Sequence, residues 1–151
     1  HYGSIVIRTS WLYSSFGHNF VKTIIRLATE NKTLQVVNDQ IGTPTYAADL
    51  AEAIMKIIWG VLRNQIAFNA GIYNYSNNGT CSWYEFALAI VEESGINCQV
   101  QPISTKEYPT VATRPFNSVM NKSKIMENYN LNMLHWRDSL KRCISIINKP
   151  N

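Results

Sequence analysis

Arg114 stands in a stretch, Tyr108 to Ser118, that carries Pro109 and Pro115 and shows no hydrophobic period. Prolines hold such a stretch in a loop of fixed backbone. A guanidinium displayed there can offer its planar fork to a phosphate or carboxylate. The plainer alternative is a solvated surface arginine. Asn117 and Ser118, just beyond it, are weaker polar candidates for the same ligand. Gln40, Thr43, Pro44 and Thr45 form a second group, in a loop that feeds a long helical pattern. Amide groups and the helix dipole at such a start favour an anion. A rigid cap that merely positions the helix explains Pro44 and Thr45 equally well. Trp11 ends an apolar run, where its ring either closes a core or faces a ligand.

Other chemistry is missing. The seven glycines are isolated and none falls into the G-x-G-x-x-G of a dinucleotide turn. No Tyr has a Lys four residues later. The sequence contains no G-x-S-x-G elbow, H-E-x-x-H or P-loop. His1, His18 and His135 share no spacing, and no self-sufficient active site emerges.

The elements that must position these residues alternate between strand and helix. Ser4 to Leu12 reads as a buried strand, and Asn19 caps a helix with Phe20, Val21, Ile24, Ile25 and Ala28 on one face. Leu34 to Val37 is a second strand. Thr45 caps a helix to about Arg63, whose buried stripe is read as Leu50, Ala51, Ile54, Met55, Ile58, Val61 and Leu62. Ala70 to Tyr75 is a third strand, followed by an Asn77-Asn78-Gly79 turn. Ser82 and Glu85 form a capping box that opens a helix ending at Gly95. Val100 to Ile103 is a fourth strand, Ser123 to Tyr129 a short helix, and Leu134 to Ile147 the last helix, with Trp136, Leu140, Cys143, Ile144 and Ile147 inward. The pattern predicts an α/β fold, with short parallel or mixed strands between helices. The strands are too few and short for a complete doubly wound sheet.

Composition fits one globular domain: 151 residues, 46% hydrophobic and 16% charged. The net charge is +4, yet Lys122/Lys124 and Arg137/Lys141/Arg142 are the densest basic patches. They do not make the stripe that nucleic acid requires, so no nucleic-acid partner is expected. A small anionic ligand such as a nucleotide diphosphate needs only one or two well-placed cations. Cys81, Cys98 and Cys143 lack metal-ligand spacing and fit a reducing compartment. The longest apolar stretch, Ala53 to Leu62, is interrupted by Lys56 and is too short to span a bilayer. A cytoplasmic location without membrane contact is the expectation. The chain opens on His1 and enters Ile5-Val6-Ile7 almost at once. It is therefore expected to be the later part of a longer protein.

Five segments in order carry a family signature: Arg8-Thr9-Ser10-Trp11-Leu12-Tyr13 with Asn19-Phe20; Val37 to Thr45; Gly71-Ile72-Tyr73-Asn74; Ser82-Trp83-Tyr84-Glu85-Phe86-Ala87; and Tyr108-Pro109-Thr110 leading to Arg114-Pro115-Phe116-Asn117-Ser118. Together, from about Ile5 to Leu140, they make the chain resemble the dTDP-4-dehydrorhamnose reductases, which are extended short-chain dehydrogenases. The resemblance implies NADPH-dependent reduction of the 4-keto group of a dTDP-6-deoxyhexulose to dTDP-L-rhamnose, for cell-surface polysaccharide. It also implies that the Gly-rich turn and the proton-donating Tyr-Lys pair lie upstream, so that this chain holds no catalytic residue, binds no NADPH alone and is inactive alone. By the same resemblance Trp11 contacts the deoxysugar, Thr9 and Ser10 pass near the nicotinamide, and Arg114 clamps the diphosphate. Gln40, Thr45 and Ser118 are further substrate contacts. Some members bind a divalent metal through glutamates near a dimer contact. Ala47-Ala48-Asp49 offers no Glu there, so no metal is expected, while a homodimer is allowed. Two other readings stay open: a non-catalytic binding module, as in the regulatory subunit of methionine adenosyltransferase, and a reductase for another dTDP-sugar.

Overall fold

A computed structural model describes residues 3–108, 112 and 114–149. The expected loop residues Pro109, Thr110, Val111 and Thr113 lie outside the described residues. Eight short strands and five α-helices alternate among the described residues, as the α/β pattern predicts.

The chain runs β1 (Ile5–Arg8), β2 (Leu12–Tyr13), α1 (Phe20–Glu30), β3 (Thr33–Val37), β4 (Ile41–Gly42), β5 (Thr45–Tyr46) and α2 (Ala47–Leu62). It continues through β6 (Gly71–Asn74), β7 (Cys81–Ser82), α3 (Trp83–Ser94), β8 (Gln99–Ile103), α4 (Ser123–Tyr129) and α5 (Trp136–Ile147). β1 pairs with β6, β2 with β5 and β3 with β8, all parallel. β4 pairs with β7 antiparallel, Ile41 opposite Ser82 and Gly42 opposite Cys81.

Local chemistry sets the helix ends. Asn19 accepts from the Lys22 amide at 3.3 Å, and the Ser82–Glu85 capping box closes in both directions. Gly95 takes φ +66°, the left-handed turn that stops α3. Three expectations need correction. The strand read as Ser4 to Leu12 leaves β6 after Arg8, and Trp11, at φ +47°, turns the chain so that Leu12–Tyr13 pairs with β5 instead. Tyr46, not Thr45, is the residue before α2, and it makes no side-chain cap; Thr45 is used up in β5. α2 buries Ala53, Ile57 and Gly60, whereas Ala51, Met55, Ile58 and Leu62 of the expected stripe are exposed. A Cβ at Gly60 would stand 2.5 Å from Ile66 Cδ1, so close packing on the small residues turns that face inward. In α5, Ile147 is half-buried while Trp136, Leu140, Cys143 and Ile144 are inside.

Two apolar cores result. In one, Val21, Ile24, Phe86, Ile90, Leu140 and Cys143 join α1, α3 and α5 over β3 and β8. In the other, Ala53, Ile57, Tyr73, Ile125 and Tyr129 join α2 and α4 to β1 and β6. Val6 and Ile72 point the other way and are half exposed.

Candidate functional site: a cleft beside strand β4

The two residues of β4 organise the site. On one side they pair with β7, which leads directly into Trp83. On the other, Ile41 N donates to Phe116 O at 2.7 Å and Ser118 N donates to Ile41 O at 2.9 Å. A chain segment far away in sequence is thus stitched beside β4, and Arg114 comes with it. A cleft of about 300 Å³ opens there, lined by Phe20, Gln35, Gln40, Trp83, Tyr108 and Arg114 among others.

Gln40 is 6% exposed and is fixed by a short relay. Its Nε2 donates to Thr105 Oγ1 at 3.0 Å, and Thr105 donates from both hydroxyl and amide to Asp39. Those hydrogen bonds, the hydroxyl first, hold the Asp39 carboxyl below its ordinary range. Ser104 does the same for Glu107, so the neighbouring depression that Asp39 and Glu107 line carries carboxylates already satisfied by protein donors. Arg114 is different. It is exposed, and it has no hydrogen bond or ion pair among the described residues. The cleft therefore offers apolar walls, a clamped amide and an unspent guanidinium. Such a lining suits an anionic ligand with a flat or apolar portion.

Trp11 adjoins this cleft. Its ring stacks on Trp83, with centroids 3.6 Å apart and planes 11° from parallel. One face of the indole is therefore already covered. Beneath β4 the fit is tight: a Cβ at Gly42 would stand 2.5 Å from Trp11 Cε2 and 2.7 Å from Ser118 Oγ. Ser118 Oγ itself donates to Ile41 O at 3.2 Å. The fold thus gathers Trp11, Gln40, Arg114 and Ser118 around β4.

The other expected residues sit elsewhere. Thr45 is fully buried, its amide donating to Trp11 O at 3.1 Å and its hydroxyl without a partner among the described residues. The first turn of α2 already holds the carboxylate of Asp49, which is buried. Ser10 Oγ donates to Thr43 O at 3.2 Å, and Thr9 Oγ1 is buried without a partner among the described residues. Sequence reasoning missed Trp83 and Phe20 as lining residues. An aromatic at the first position after a capping box reads as ordinary helix, and only the β4–β7 pairing reveals its place.

Strand ends, helix starts and a cleft between them define a ligand-holding α/β module. The family model for the RmlD substrate binding domain matches residues 1–148. The chain belongs to that family. It is 45% identical over 138 residues to the spore coat polysaccharide biosynthesis protein SpsK of Bacillus subtilis, covering 91% of this chain and 46% of that protein. It is 38% identical over 144 residues to a dTDP-4-dehydrorhamnose reductase of Aggregatibacter actinomycetemcomitans, covering 91% and 49%. The solved structure of dTDP-4-dehydrorhamnose reductase from Bacillus anthracis, in complex with NADP, superposes with a TM-score of 0.86 at 41% identity, covering 99% of this chain and 50% of that one. The chain spans about half the length of the relatives it matches. Among the described residues no helix is long and apolar enough to cross a membrane.

Proposed function

We propose that this chain is the substrate-holding half of an NADPH-dependent dTDP-4-dehydrorhamnose reductase, and that the cleft beside β4 receives the nucleotide diphosphate of the dTDP-sugar. The observation that carries the reading is Arg114, unpaired among the described residues, in a cleft walled by Trp83, Phe20 and Tyr108. The guanidinium takes the diphosphate as a fork while the aromatic walls accept the base or sugar. Trp11, next along the aromatic stack, lies where the deoxysugar would follow.

NADPH supplies the hydride when bound. This chain's residues flank such a site without holding the dinucleotide: Thr9 has a buried hydroxyl with no partner among the described residues, but no Gly-rich turn is present in the sequence. The proton donor belongs to the remaining half of a relative-sized protein. The exposed face of the β1–β6 pair supports this division, because parallel strands are stable when both faces are covered, and Val6 and Ile72 here are half exposed.

The test is NADPH oxidation driven by dTDP-4-dehydro-6-deoxy-L-mannose. The full-length protein turns over, and the 151-residue chain neither turns over nor binds NADPH saturably at micromolar concentration. No substrate-dependent oxidation by the full-length protein would refute the reading, and turnover by the short chain would move the active site.

A further inference from the structure

Trp11 sits in a backbone region that side chains other than glycine seldom adopt, at φ +47°. Something must hold it there. Its carbonyl accepts from the Thr45 amide, which fixes the main chain, and its ring lies flat on Trp83. Trp83 is itself locked from behind. Phe20 tilts against it at 4.6 Å and stacks at 5.6 Å on Phe86, which is fully buried. The four rings thus run from the core, through Trp83, to Trp11. Trp83 also lines the cleft that contains Arg114. One indole therefore touches both the cleft and the ring next to it.

We propose that Trp83, besides walling the cleft, has a second role as the support of Trp11: it holds the Trp11 indole in its left-handed pose and joins that pose to occupation of the Arg114 cleft, so that Trp11→Ala should add little once Trp83 is gone. The proposal rests on the reading of the cleft as the nucleotide site. The physical logic is that a strained pose persists only where the surroundings over-determine it. Removing the ring on which Trp11 lies frees Trp11 to relax. Ligand binding must then reorder it, at a cost in affinity.

The test uses the full-length protein with Trp83→Ala and Trp83→Phe. Stacked indoles give an exciton couplet in far-ultraviolet circular dichroism, and both variants lose it. For Trp83→Ala we expect KM for the dTDP-sugar and Kd for dTDP to rise about tenfold, the scale of one lost aromatic stack. Trp83→Phe keeps a stacking partner, so the rise falls to about threefold. If Trp83→Ala fails to melt cooperatively, Trp83→Phe decides alone. Lost couplet with KM and Kd unchanged in the folded variants would overturn the proposal, even if the melting temperature drops. Absence of dTDP binding by the wild type would instead overturn the cleft reading.

Discussion

Arg142 Nη1 donates to Asp49 Oδ1 at 2.6 Å, and this pair ties α5 to the first turn of α2. The other Asp49 oxygen accepts from Asn77 Nδ2 at 2.6 Å and from the Ser139 hydroxyl. Asn77 in turn accepts from the Tyr46 amide. Asp49 is 5% exposed, so its charge is viable only because each oxygen is met by a donor. This polar cluster joins the two apolar cores and sets the entry to α2.

Asp49→Ala should therefore cost about 3 kcal/mol or more of unfolding free energy, since it strands the buried Asn77 and Ser139 donors and leaves Arg142 only its exposed partner Glu52. Arg142 is itself well exposed, so water can take its place at Asp49 Oδ1, and Arg142→Ala should cost less, about 1–2 kcal/mol. Urea unfolding of the two variants in the full-length protein measures the difference. Equal, small losses would show that the cluster is not a clamp.

Trp11→Ala should raise KM for the dTDP-sugar with a stability loss of about 1–2 kcal/mol, because the ring, stacked on Trp83 and packed over Gly42, is only half-buried. A loss of about 3 kcal/mol or more belongs to a core aromatic. That result would return Trp11 to the core.

Arg114→Lys keeps the charge and loses the fork. Binding of dTDP should weaken by about 1–2 kcal/mol, read by calorimetry at fixed salt. Equal affinity of wild type and variant would remove Arg114 from the diphosphate.

What the sequence made legible was local. The capping box at Ser82, the stop at Gly95 and the bounds of α4 depend on immediate neighbours, through a side chain bonding to backbone at Ser82 and left-handed turns at Gly95 and Asn130, and all three appear as read. The two-residue strands β2, β4, β5 and β7 have no local signal and exist because distant segments pair. The inward face of α2 was equally hidden: the helix is apolar nearly all round, and tight packing at Gly60 decides the matter. Gln40 and Arg114 could be named singly from residue type. Their shared cleft depends on Ile41 bonding to Phe116 and Ser118, which no periodicity foretells.

The relay that fixes Gln40 should respond to acid. Hydrogen bonds from Thr105 hold the Asp39 carboxyl below its ordinary value in the folded protein. A depressed folded pKa gives stability that is complete above the unfolded value of about 4, and that fades as pH falls through the folded one. Asp39→Asn removes that contribution, so the variant should be the less stable at neutral pH, with the difference closing as pH falls through the acid window. Stability curves of wild type and variant that stay parallel through the window would show that the Thr105 contacts do not favour the ionised form.

The most direct measurement is a crystal structure of the full-length protein with dTDP bound. The diphosphate is expected within hydrogen-bond distance of the Arg114 guanidinium, in the cleft lined by Gln40, Trp83 and Tyr108. A diphosphate held elsewhere, with that cleft empty and Arg114 in solvent, would contradict that placement.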